Sequence, residues 1–266
     1  MKPDLARLRG YQGYFFDLDG TVYLGPHLIE GADRAIRALR RQGKKTLFLS
    51  NKPIESCRDY AEKLSALGIP ATLEEVINSS QVTALTIARM APRATVYCIG
   101  EPPLMDELKA AGLRITDDPL RAEFLLASQD RGFSYAKLND AMLALRHGAR
   151  FIATNPDRTC PVAGGEIPDC AGMIGAIEGV TGISPEIVCG KPFRYMLDAA
   201  LERLRLKVSD CLMIGDRLET DIQMGAETGI DTLLVLSGVT TAAMAADYPF
   251  KPTYTMNSLA DLAQII

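Results

Sequence analysis

Apolar runs of strand length alternate with helix-length segments along most of this chain, a pattern that few architectures accept. "YFFDLD" (14–19) is followed by the helical "GADRAIRALRRQG", where Ala32, Ala35, Ile36 and Leu39 share one face and Gly43 ends the run. "KKTLFLSN" and the helical "IESCRDYAEKLSALG" come next, then "EEVINSS" and a helical segment reaching Met90. Towards the C-terminus "EIVCG", "CLMIGD" and "DTLLVLSG" repeat the pattern. These runs are unbroken rather than alternating, as expected of strands covered on both faces, so they predict a parallel α/β sheet.

The middle of the chain reads as a second α/β unit inserted into the first. It offers the strands "TVYCIG", "FLLAS" and "FIATN" and the helix "YAKLNDAMLALRHG", in which His147 ends the helix before Gly148. "NPDRTCPVAGGEIPDCAG" packs turn-formers densely enough to read as one long loop. The predicted division is a discontinuous core, 1–79 and 183–266, around an inserted segment 80–182.

Composition limits the partners. Of 266 residues, 47% are hydrophobic and 23% charged, which is ordinary for a globular protein. The net charge of −4 has no block of like charges behind it, which argues against a nucleic-acid partner. The start, "MKPDLARLRGYQG", has no apolar h-region and no stretch has the length of a membrane span, so the expectation is a cytoplasmic protein with no membrane partner. Six cysteines, at 57, 98, 160, 170, 189 and 211, form no CxxC pair, so zinc is not expected and the thiols read as core filler.

In a parallel α/β sheet, ligands collect outside the carboxyl ends of the strands. Asp17 and Asp19 follow the first apolar run. Ser50, Asn51 and Lys52 follow "KKTLFL", with Pro53 opening a helix; Gly190 and Lys191 follow "EIVC"; Asp216 follows "CLMIG", with Asp221 five residues on. If strand alternation continues through Asp19, the two side chains Asp17 and Asp19 point the same way. Two like charges so close repel, and desolvation adds to the cost. Placed together, the four acids and Lys191 carry a charge of −3, which repels a phosphate ester unless a divalent cation and one retained proton offset it. Oxygen donors of this kind suit magnesium. Two other readings fail on spacing. An EF-hand loop starting at Asp17 would put Val22 and Leu28 where Gly and an acid are needed, and a P-loop ending in Gly190-Lys191 would have Pro185 and Pro192 at its required positions.

"DLDGT", Ser50-Asn51 after a strand, "GKP" and "GDRLETD" stand in the order found in the haloacid dehalogenase (HAD) superfamily of phosphatases, which the chain resembles over essentially its whole length. The long insertion between "SN" and "GKP", with "FIATNPD" inside it, resembles the NagD and p-nitrophenyl phosphatase subgroup. The resemblance implies a Rossmann-like core with an inserted α/β cap, and a Mg²⁺-dependent phosphatase. It implies Asp17 as the nucleophile and Asp19 as general acid and then base. It implies Mg²⁺ held by Asp17, Asp216 and the Asp19 backbone carbonyl, with Asp221 in support. Ser50, the Asn51 amide and Lys191 would meet the phosphate, while Gly20 allows the tight turn after the acids and Thr21 bonds within it. The cap would exclude water and read the leaving group, with Asp157, Arg158, Asp169 and Cys170 as candidate contacts; His27 and His147 are given no catalytic role. The substrate would be a small phosphorylated metabolite: a sugar phosphate, a nucleotide, phosphoglycolate or pyridoxal phosphate. A phosphomutase or other phosphotransferase, or a non-catalytic binder of phosphate ligands, could use the same core. Caps in such proteins often pack against one another, which points to a homodimer.

Overall fold

The apolar runs form the strands of two separate sheets. In this computed structural model, residues 5–162 and 164–266 are described. Along the chain come β1 (Gly13–Asp17), β2 (Tyr23–Leu24), β3 (His27–Leu28), β4 (Lys45–Ser50) and β5 (Val76–Asn78). Next are β6 (Thr95–Ile99), β7 (Arg114–Ile115), β8 (Phe124–Ala127), β9 (Arg150–Ala153), β10 (Thr159–Val162), β11 (Gly165–Pro168) and β12 (Ile187–Val188). The chain finishes with β13 (Cys211–Gly215), β14 (Asp231–Val235) and β15 (Tyr254–Met256). Among the described residues, contacts group 5–50, 58–77 and 191–266 into one compact unit, and 51–57, 78–162 and 164–190 into a second.

The first unit is built on a six-stranded sheet in the order β15-β14-β13-β1-β4-β5. The pairs β1–β13, β1–β4, β13–β14 and β14–β15 are parallel, with Phe16 opposite both Ile214 and Phe48. Tyr14, Phe15, Phe16, Leu47, Phe48, Leu49 and the whole of β13 are buried, which explains why these strands read as continuous apolar runs. The helix Ala32–Arg41 buries Ala32, Ala35, Ile36, Ala38 and Leu39, the face its periodicity predicts, and Gly43 follows at φ +74°. Each large apolar side chain buried this way contributes about 1.5–3 kcal/mol.

The second unit has its own five-stranded sheet, β12-β9-β8-β6-β7, parallel throughout. Its core gathers Tyr97, Ile99, Leu125, Phe151, Met173 and Ile177 among others. Two expectations change here. "EIVCG" does not join the first sheet: Ile187 pairs with Ile152 and Val188 with Ala153, so β12 is an edge strand of the second. The stretch read as a long loop contains the antiparallel hairpin β10–β11, with Val162 opposite Gly165 and Thr159 opposite Pro168. Gly164 and Gly165, at φ +88° and +151°, supply conformations open mainly to glycine at its turn. Pro161 and Pro168 hid these strands, because proline cannot donate to a ladder and reads as a loop former.

His27 is exposed in β3, and His147 caps its helix with Nδ1 2.9 Å from the Leu143 carbonyl. Among the described residues, no helix is long and apolar enough to cross a membrane.

Ile214 lies fully buried at the centre of the first sheet. Ile214→Ala should cost about 2–5 kcal/mol, read as a lowered midpoint in urea unfolding.

Candidate active site

Because β1, β4 and β13 run parallel in register, their carboxyl ends share one edge of the first sheet. β1 ends on Asp17, β4 on Ser50, and β13 on Gly215 with Asp216 next. Asp221 lies in the following π-helical turn, Leu218–Ile222, which carries it back under Gly215.

The centre of this edge is an ammonium among carboxylates. Lys191 is 1% exposed, and its Nζ donates to Asp17 Oδ1, to Asp221 Oδ1 at 2.7 Å and to the Leu49 carbonyl at 3.3 Å. Burial disfavours the charged amine, but Asp17 and Asp221 outweigh it and hold Lys191 above its ordinary range. Asp221 Oδ2 accepts from the Arg217 backbone N–H at 3.1 Å. Asp216 accepts from the Thr21 hydroxyl at 3.1 Å and from the Val239 backbone N–H at 2.8 Å.

Carboxylate oxygens of Asp17, Asp216 and Asp221 lie within 4.8 Å of one another. Against three such groups Lys191 supplies one positive charge, so two negative charges are left to a divalent cation. An all-oxygen donor set of this kind fits a hard metal ion. Desolvation by burial, opposed by Lys191 and reinforced by Asp221 and Asp216, pushes the Asp17 carboxyl well above the ordinary carboxylate range. Burial, and after it Asp221, push Asp216 up to about 6, while the Val239 N–H and the Thr21 hydroxyl pull it down.

Three glycines make room for these acids. Gly20, at φ +88°, and Gly238 both lie where a Cβ would overlap the Asp216 carboxylate; a Cβ on Gly215 would overlap that of Asp221. The Ser237 hydroxyl donates to the Gly20 carbonyl at 2.8 Å, tying the loop after β14 to the turn after β1. Ser237, Gly238 and Val239 were not singled out from the sequence. Their signal was the position of "SG" behind the apolar run "DTLLVL", at the carboxyl end of a strand.

Strand β1 stops at Asp17, so alternation does not carry on to Asp19. Asp19 forms a bridge with Tyr23, and its carboxylate is not one of the clustered three. Ser50 is buried, but the expected helix behind it begins only at Cys57. Asn51 groups with the second unit, where its carbonyl accepts from the Ser79 hydroxyl at 2.5 Å. Also in that unit, Asn155 Nδ2 donates to Asp157 Oδ2 at 3.1 Å and to Asp169 Oδ1 at 3.3 Å, which brings Asp157 and Asp169 together. Arg158 is exposed beside them. Cys170 is fully buried in the apolar core; burial pushes its thiol up to about 12, and it faces the Ala127 carbonyl. It is a packing residue, as a small apolar thiol at the start of an inward-facing helix should be.

A folded Asp216 that keeps its proton to about pH 6, against 3.8 ordinarily, makes the metal-free fold lose stability as pH rises between those values. A divalent cation needs the carboxylate. An added hard divalent cation should therefore raise Tm more at pH 7.5 than at pH 5, and Gly238→Ala should shrink that rise, both read by calorimetry.

Known proteins resemble this chain in sequence and in structure. Residues 14–114 match the family model for haloacid dehalogenase-like hydrolases, and residues 188–262 match a second HAD-hydrolase-like model. The chain is 40% identical to the sugar-phosphatase AraL of Bacillus subtilis, over 95% of this chain and 92% of that protein. It is 37% identical to the 5'-nucleotidase YutF of the same organism, over 96% and 98%. The solved p-nitrophenyl phosphatase from Archaeoglobus fulgidus superposes with a TM-score of 0.91 at 35% identity, over 96% of this chain and 99% of that one. With its acids and lysine gathered at one sheet edge, the chain belongs to the haloacid dehalogenase-like hydrolases, in the NagD and p-nitrophenyl phosphatase subgroup.

Proposed function

We propose that the protein hydrolyses small phosphate monoesters, with Mg²⁺ bound, through a phosphoryl group carried transiently on Asp17. The observation that carries this reading is the Lys191 ammonium buried between Asp17 and Asp221, with Asp216 beside them. Such an arrangement has little value for stability alone, because burying so much charge is costly. Phosphoryl transfer, by contrast, depends on positioning and electrostatics of this kind.

Asp17 supplies the attacking oxygen, forming a bond to phosphorus as the bond to the leaving oxygen breaks. Lys191 holds that carboxylate in place and neutralises charge as it shifts onto the phosphoryl oxygens. Asp19 gives its proton to the departing oxygen, then takes one from the water that attacks phosphorus and frees Asp17. Ser50 donates its hydroxyl, and Asn51 its backbone amide, to phosphoryl oxygens. Thr21, Val239 and the glycines orient Asp216. The donor set of Asp17, Asp216 and the Asp19 carbonyl, with Asp221 in support, suits Mg²⁺, which would supply charge neutralisation and fix the phosphate oxygens when bound.

The second unit is read as the cap that selects the leaving group, with Asp157, Arg158 and Asp169 as its polar contacts. The relatives named for sugar phosphates and for 5'-nucleotides favour small esters with hydroxylated organic parts.

Asp17→Asn should lower phosphate release from p-nitrophenyl phosphate by at least about a thousandfold. Its unfolding midpoint should stay near wild type, because Lys191 keeps Asp221 as partner. Chelation should remove wild-type activity and Mg²⁺ restore it, and quenched wild-type protein should carry a phosphoryl adduct on the peptide containing Asp17. A fully active Asp17→Asn variant overturns the proposal.

A further inference from the structure

The turn that carries Asp19 closes on itself. The Leu18 carbonyl accepts from the backbone N–H groups of Val22 at 2.9 Å and Tyr23 at 3.2 Å. In return the Gly20 N–H donates to the Tyr23 carbonyl at 2.8 Å, and Asp19 bridges to Tyr23. One side of the turn is held by the first sheet, where the Thr21 hydroxyl donates to Asp216 and the Ser237 hydroxyl to the Gly20 carbonyl. Its far end is Tyr23, the residue on which the turn closes. What fixes Tyr23 therefore fixes the backbone on either side of Asp19.

The Tyr23 ring is met by a charge. Tyr23 is fully buried, although Leu24, next in the chain, is 53% exposed. The Lys63 ammonium lies 3.8 Å from its ring centroid, well within the range at which a cation is attracted to an aromatic face. Lys63 stands in the last turn of the helix Cys57–Ala66, whose Tyr60 and Leu64 are fully buried. A cation suits that end of a helix wherever it points, so the dipole alone does not send it to a ring. Among the described residues the ammonium has no ion pair or hydrogen bond, and Lys63 is only half-buried, so water is open to it. A lysine left in water keeps its rotamer freedom; one held over a ring gives that up for the contact.

We propose that Lys63 is a positioning residue for Asp19. By clamping the Tyr23 ring it holds the turn 18–23, and with it the Asp19 carboxyl, where a proton can pass to the departing oxygen. This rests on the phosphatase reading above. Proton transfer needs its donor within hydrogen-bond reach, and a misplacement of about 1 Å costs up to about a hundredfold in rate. A group that acts only through a neighbour therefore still moves the rate. The effect falls on the step that needs the proton: an alkoxide leaves only as it is protonated, whereas p-nitrophenolate departs without help.

The test compares kcat/KM for p-nitrophenyl phosphate and for an aliphatic ester, the fastest turned over of a panel of sugar and glycerol phosphates, in wild type, Lys63→Met and Lys63→Arg. Lys63→Met keeps the stem and loses the charge. It should fall about tenfold on the aliphatic ester and by less than about threefold on p-nitrophenyl phosphate. Lys63→Arg keeps a cation over the ring and should stay within about threefold of wild type on both. A general folding defect lowers both substrates alike. Equal losses on the two esters in Lys63→Met, no loss on either, or a Lys63→Arg variant no better than Lys63→Met overturns the proposal. A second measurement needs no turnover: the Gly20 amide should exchange with solvent about tenfold faster in Lys63→Met, while the Phe16 amide in β1 is unchanged. Unchanged Gly20 exchange overturns the clamp. Wild-type protein inactive on every ester, with Mg²⁺ supplied, would instead sink the phosphatase reading, and the Gly20 amide then decides alone whether Lys63 holds the turn.

Discussion

One buried ammonium sets the terms for the acid-lined edge of the first sheet. Lys191 is almost wholly removed from solvent and can remain charged only because Asp17 and Asp221 surround it. The acids in turn need the lysine, since burial pushes Asp17 well above the ordinary carboxylate range even with that partner beside it. Neither charge is tolerable alone, and together they still leave Asp216 to be neutralised. The edge is therefore an unfinished electrostatic structure. Its residual negative charge suits a metal ion, and its fixed cation suits the growing charge of a phosphoryl group.

Much of this edge was legible in the sequence because strands buried on both faces announce themselves. "YFFD", "TLFLS" and "CLMIG" are unbroken, so Asp17, Ser50 and Asp216 could be placed at strand ends before any coordinates. Lys191 was expected at this edge and lies there, but with the wrong strand behind it. The membership of Ile187–Val188 is decided by pairing with Ile152 and Ala153, and an apolar run carries no mark of its partner. Backbone contributions were invisible for a similar reason. The Val239 N–H on Asp216 belongs to every non-proline residue, so nothing in the letter V betrays it.

The second unit was harder to read, because its polar side chains are buried and satisfy one another. Ser128, Thr154, Asn155 and Asp169 are each 2% exposed or less, and they form a network instead of facing water. Composition alone would have placed such residues in a solvent loop. Gln129, next to Ser128 in the chain, keeps a buried Oε1 without a hydrogen-bond partner among the described residues, which no letter of the sequence announces.

Gly20, Gly215 and Gly238 give the acid-lined edge an unusual vulnerability. The carboxylates occupy volume that any other amino acid would claim for itself, so the acids are held partly by atoms their neighbours lack. A single methyl group, neutral and chemically inert, added at one of these positions would displace an ionised oxygen without touching a reactive atom. Substitutions usually judged the mildest collide, at these three places, with a carboxylate.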